Sequence, residues 1–193
     1  MGKLLLTGAV LLLGGSAALV SASTGQGSRQ LPKGTASNHA VQPQPPADSC
    51  NARGSGELAL PDTSCTPGAI SPAVKQSNIH STICRSGYSK SVRPSESITE
   101  REKQASMAAY GDTDSARHYE YDHLVSLELG GATNDARNLW PEPGGSPNVK
   151  DRIENRLHRL VCAGSVTLSS AQSQIAHDWA KAYRRYLGPI PSS

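Results

Sequence analysis

The alternation of apolar and polar positions over residues 119–140, YEYDHLVSLELGGATNDARNLW, predicts a short strand, a turn at Gly130-Gly131, a polar loop and a second apolar stretch at Asn138-Leu139-Trp140. Residues 148–161 then take helical spacing, with Val149, Ile153, Leu157, Leu160 and Val161 on one stripe and Asn148, Asp151, Asn155 and His158 on another. Ser146-Pro147 reads as the start of that helix and Cys162-Ala163-Gly164 as its end. Strict alternation sets Tyr119, Tyr121, His123, Val125 and Leu127 on one face of the first strand, and Glu120, Asp122 and Glu128 on the other. Asp122 and His123 therefore serve one site only if the strand bulges or ends near His123.

The flanking chain is less regular. A short helix is predicted within residues 72–84, and a short strand or extended arm over residues 87–94. Ser97-x-x-Glu100 has capping-box spacing, so a helix is expected over residues 98–110, with Gly111 as its stop. Ser169-x-x-Gln172 opens a last helix with an apolar face of Leu168, Ile175, Trp179, Ala182, Tyr183 and Tyr186, closed by Gly188-Pro189. Strands and helices in this order predict an α+β domain spanning residues 50–193, with a ββα core at about 118–162.

The first 22 residues carry Lys3, an apolar run and a small-residue exit at Val20-Ser21-Ala22. That is the pattern of a secretory signal peptide cut after Ala22, which leaves no stable membrane insertion. An uncleaved anchor is the other reading. Residues 23–49 are rich in Ser, Gly, Gln and Pro and predict a flexible linker. Four cysteines in an exported chain suggest two disulfides, with three possible pairings. Cys50 and Cys65 are neighbours in a Gly/Pro-rich segment, and Cys84 and Cys162 each end an apolar stretch, so Cys50–Cys65 with Cys84–Cys162 is expected. A zinc site is disfavoured by the lack of any close Cys-x-x-Cys or Cys-x-x-His pair. The location is secreted, periplasmic or cell envelope.

The formal charge is +3, but the chain from Asn148 onward holds seven Lys or Arg against three acids. A basic C-terminal half suits a phosphate-rich partner, or is simply a solvated helix surface. Phosphodiester hydrolysis needs a base, a cation at the phosphate and stabilisation of the departing oxygen. Histidine suits the first task, and a hard divalent ion held by oxygen ligands suits the second.

Strand, loop, strand and helix, with Asp122-His123 on the first strand and Asn138 on the second, resembles the HNH nucleases and their ββα-metal unit. The strings STIC, SVRP, YEYDHLVSLELGG, RNLWPEP, VKDRIENRLH and AQSQIAHDW are similar to those of small exported bacterial HNH-like proteins, and the likeness runs over most of residues 65–186. The resemblance implies His123 as general base, Asp122 as metal ligand and Asn138 as the residue that braces the loop. It implies a second ligand from the helix: Asn148 first, with Asp151, Asn155 and His158 as alternatives. Asn148 is otherwise a helix cap. Arg137 and Lys150 are the candidate substrate contacts. The implied ion is Mg²⁺, with Mn²⁺ or Ca²⁺ possible, and the implied partner is nucleic acid, DNA before RNA. The zinc-holding Cys pairs of many HNH domains are absent, so the disulfides must brace this fold. The resulting expectation is an exported metal-dependent endonuclease of little sequence specificity. The alternative is a non-catalytic extracellular metal-binding or structural envelope domain. Nothing in the sequence speaks for or against an immunity partner.

Overall fold

The computed structural model describes residues 1–2, 30–34 and 39–191. The expected signal peptide falls almost wholly outside the described residues. No helix among the described residues is long and apolar enough to cross a membrane.

The architecture is a small α+β fold stapled by two disulfides. Four α-helices occur among the described residues: α1 (Tyr88–Val92), α2 (Glu96–Tyr110), α3 (Lys150–Cys162) and α4 (Leu168–Leu187). Between α2 and α3 lie two strands, β1 (Tyr119–His123) and β2 (Leu139–Pro143), paired antiparallel with Asp122 opposite Trp140 and His123 opposite Leu139. Strand, strand and helix thus follow one another in the predicted order. A two-stranded ribbon is marginal alone, and here helices cover it. α2 packs on β2, and α3 packs along α4.

Ile153, Leu157 and Val161 of the predicted α3 stripe are fully buried, and so are Ile175, Trp179 and Tyr183 of α4. With Leu124, Val125 and Leu129 from the inter-strand loop they form one core. The core therefore grips the loop that follows Asp122-His123. Trp179 donates its indole N–H to the Ala59 carbonyl at 3.2 Å, tying the N-terminal segment to the same core.

Both disulfides have the expected pairing, Cys50–Cys65 and Cys84–Cys162, with sequence separations of 15 and 78. They point to an oxidising, extracellular environment.

Several boundaries differ from the sequence reading. Residues 87–94 hold helix α1, not a strand or arm: Gly87 starts it in the left-handed region at φ 80°, a conformation glycine takes without strain. The Ser97/Glu100 capping box does not form. α2 starts at Glu96, and the Ser97 hydroxyl meets that of Ser95 at 3.0 Å. α3 starts at Lys150 rather than at Pro147, because the Asn148 side-chain oxygen accepts the Lys150 N–H at 2.8 Å. α4 is capped by Thr167, whose hydroxyl accepts from Ser170, and is interrupted at Asp178. Residues 39–49, expected to be part of a free tether, bond to the domain. Gln42 donates to the buried Glu102 carboxylate at 2.7 Å, and Asp48 and Cys50 donate to the last turn of α2. Polar composition did not prevent docking there, since the bonds run through backbone amides.

Candidate functional site

The loop between the strands is built around Asn138. Its side-chain oxygen accepts the Val125 N–H, and its amide donates to the carbonyls of Val125 and Ala132, all at 3.0 Å. The side chain is fully buried, so these three bonds stand where water would otherwise be needed. Gly131 makes the arrangement possible. A Cβ there would sit 1.7 Å from the Val125 carbonyl oxygen and 2.8 Å from the Asn138 amide. Gly130 beside it is left-handed, at φ 72°.

The braced loop carries Thr133 back over His123. The His123 Nε2 lies 3.0 Å from the Thr133 carbonyl. A carbonyl only accepts, so Nε2 holds the proton and Nδ1 presents the lone pair. His123 is 4% exposed. Burial pushes its pKa down to about 4, against the Thr133 carbonyl and the Asp122 charge, which pull it up; the Arg93 and Lys150 cations act with burial. The imidazole is therefore neutral in near-neutral solution, in the tautomer that can take a proton.

Asp122 has a different neighbourhood. β1 pairs without a bulge up to His123 and stops there, so the two side chains keep opposite faces of the ribbon. The Asp122 carboxylate lies 2.5 Å from the Lys150 ammonium. Lys150 also contacts Glu154 one turn along α3, lies 3.7 Å from Glu142, and donates to the His123 carbonyl at 3.2 Å. Lys150 and Glu142 are essentially inaccessible, at 0% and 1% exposure. Burial acts to lower the lysine's pKa, but Asp122, Glu154 and Glu142 hold it well above its ordinary value. Burial acts to raise Asp122, but the Lys150 charge beside it brings it below the usual carboxylate value. Burial lifts Glu142 well above that value and Glu154 to about 8, the ammonium opposing both. The lysine charge thus favours the ionised form of Asp122, while burial opposes ionisation of the two glutamates.

The other sequence candidates fall as follows. Asn148 donates its amide to Glu120 at 2.9 Å and uses its oxygen at the start of α3. No hydrogen bond or ion pair joins it to Asp122 among the described residues. The stripe of Asp151, Asn155 and His158 bonds elsewhere: Asp151 accepts the Asn148 N–H, Asn155 donates to the Asp151 carbonyl, and His158 reaches the distant Ile83 carbonyl. The helix residues that face Asp122 are Lys150 and Glu154, on the adjacent stripe. Lys150, read as a substrate contact, is buried among carboxylates, since its ammonium finds its counter-charges inside. Arg137, read as a phosphate clamp, donates Nε and Nη2 of one guanidinium edge to Asp135, at 3.0 and 2.7 Å, and Nη2 also to the Lys33 carbonyl. Among the described residues the only group of three ligand types close enough for a metal is Cys84, His158 and Cys162, and both sulfurs are spent in the disulfide.

The sequence reading missed Glu142 and Glu154. The i, i+4 spacing of Lys150 and Glu154 was a usable signal, and Glu142 shares the parity of Trp140, opposite Asp122. Thr133 and Arg93 carried no signal in one dimension. No family model, curated protein or solved structure matches this chain.

Proposed function

We propose that the chain is an exported phosphodiesterase that cleaves nucleic acid, DNA before RNA, with His123 as general base. The observation that carries the reading is the pinned, neutral imidazole at the end of β1: Nε2–H is committed to Thr133, on the loop fixed by Asn138, and Nδ1 is left as acceptor. A water deprotonated at Nδ1 attacks phosphorus. Negative charge from a bound phosphate favours the protonated imidazole, and so raises its basicity toward the working range. The exposed cations of α3 and α4, among them Arg152, Arg159, Lys181 and Arg184, suit contact with a phosphate backbone and little sequence selection.

The resemblance also implies a divalent ion, Mg²⁺ before Mn²⁺ or Ca²⁺. The residues around Asp122 do not fit it. The carboxylate is already neutralised by Lys150, and the Asn148 amide is engaged with Glu120. No step above runs through an ion. The same buried cluster favours a second reading, a structural envelope domain without catalysis.

Plasmid nicking by the purified mature chain separates the two. Cleavage that His123→Ala abolishes supports the hydrolase. Absence of cleavage with Mg²⁺, Mn²⁺ and chelator alike supports the structural domain.

A further inference from the structure

We propose that Arg93 and Ser126 form an anion pocket that holds a phosphate group of the substrate beside His123. This rests on the hydrolase reading for its substrate, but not for its chemistry.

A cavity of about 190 Å³ opens between the end of α1, the inter-strand loop and α3, with Arg93, Ser126, Glu128, Glu154 and Asn155 among its walls. At roughly 30 Å³ per water it has room for a phosphate with some of its hydration. Two features point to a ligand. Ser126 is 5% exposed, yet its hydroxyl has no hydrogen-bond partner. Its backbone carbonyl is fixed by the amides of Leu129 and Gly131, so the hydroxyl is held in place with its donor unspent. Arg93 is exposed at the C-terminal end of α1, and no hydrogen bond or ion pair engages it among the described residues. Ser126 follows His123 by three residues at the start of the inter-strand loop, and the Arg93 charge acts on the imidazole from the wall of the same cavity.

Two carboxyl groups in the walls look unfavourable for an anion. Burial lifts Glu154 to about 8, which weakens its repulsion near neutral pH, and raises Glu128, whose carboxylate also faces His158 at 3.5 Å. A planar guanidinium and a hydroxyl in the walls of one cavity offer the donors that phosphate oxygens accept. A bare metal cation is disfavoured by the guanidinium in the same wall.

The test uses the full mature chain with inorganic phosphate as probe, followed by NMR of the His123 ring, alongside cleavage kinetics on DNA. Phosphate should perturb the His123 ring in the parent. Arg93→Ala should weaken phosphate binding at least tenfold and raise KM more than it lowers kcat. Arg93→Lys should recover part of both losses, and Ser126→Ala should weaken binding about threefold. Phosphate that binds Arg93→Ala as tightly as the parent, or leaves the His123 ring unperturbed, overturns the pocket. If phosphate binding depends on Arg93 but no variant cleaves DNA, the pocket stands and the hydrolase reading falls. If His123 is required for cleavage while Arg93→Ala changes neither binding nor KM, the reverse holds.

Discussion

The Lys150 ammonium lies 2.5 Å from the Asp122 carboxylate, and this pair joins the end of β1 to the first turn of α3. Removing one member of a buried ion pair strands the other charge and costs about 3–5 kcal/mol. Lys150→Met should therefore lower the melting temperature steeply, and Asp122→Asn should do so nearly as much. The double variant should cost clearly less than the sum of the two, since neither charge is then left alone. Denaturant unfolding of the four proteins measures this; additive losses would mean that the pair is not coupled.

Stability should respond to pH through two groups with opposite sign. His123 takes a proton near 6.5 when unfolded but only near 4 when folded. Its contribution is complete above about 6.5 and is lost as pH falls toward about 4, worth at most about 3 kcal/mol. Glu154 keeps its proton up to about 8 when folded, against an ordinary value of 4.5. Its effect is a loss of stability as pH rises through that window. The two slopes oppose one another between about 4.5 and 6.5, and above that the raised carboxyls remain, Glu154 with Glu142 beside it. Melting temperature should therefore decline from about pH 6.5 to 8, and Glu154→Gln should flatten that decline while leaving the acid side in place. An unchanged alkaline slope in Glu154→Gln would show that other groups cause it.

The loop brace gives a third prediction. Asn138→Ala leaves the Val125 N–H and two buried carbonyls without partners, each worth about 1–3 kcal/mol. Gly131→Ala should be at least as damaging, because its Cβ collides with the Val125 carbonyl. Both variants should loosen the loop over His123 and expose its ring, and relief of burial, the largest effect on that group, should outweigh the lost Thr133 carbonyl and shift the imidazole pKa upward by NMR. A destabilised variant with an unshifted His123 would separate the brace from the base.

The order of elements was legible because periodicity reports burial, and burial decides which face of β1, α3 and α4 turns inward. The disulfide pairing was legible because Cys84 and Cys162 each end an apolar stretch that packs into the core. The site was legible only along the chain. Asp122, His123 and Asn138 stand out as neighbours or near neighbours. The partners that fix their chemistry come from elsewhere: Thr133 through the fold of the loop, and Glu142 and Lys150 from β2 and α3. The helix residue facing Asp122 was misjudged because α3 begins at Lys150. Spacing identifies a stripe but not which stripe faces the strand, and neighbouring residues on a helix point about 100° apart.

The long disulfide should matter more than the short one. In the chain-entropy model the Cys84–Cys162 loop contributes roughly 4 kcal/mol and the Cys50–Cys65 loop about 3. The first also pins the end of α3, whose opposite end holds Lys150. Cys84→Ser with Cys162→Ser should therefore lower stability more than Cys50→Ser with Cys65→Ser. It should also shift the alkaline decline assigned to Glu154, which sits on α3 beside Lys150, and the other pair should leave that decline alone. Losses that differ only by the loop-length amount, with an unshifted profile, would show that the two staples act only on the unfolded chain.

The role of His123 is tested by its removal and by the manner of the loss. A general base contributes about 10²–10⁴-fold to rate, so His123→Ala should lower kcat by that factor with KM nearly unchanged. The ring is buried, so the variant's fold must be checked first; His123→Gln fills the space and keeps a donor for the Thr133 carbonyl, and it should fold like the parent. Asp122→Asn should act differently. It should lose stability through Lys150 and lose rate only as far as the fold loosens, and added Mg²⁺ should not rescue it, because the carboxylate meets an ammonium rather than a bound ion. Rescue of Asp122→Asn by millimolar Mg²⁺ would restore the metal role for Asp122 and mean that Lys150 gives way when the ion arrives. Full activity in a folded His123→Gln would move the chemistry away from this loop altogether.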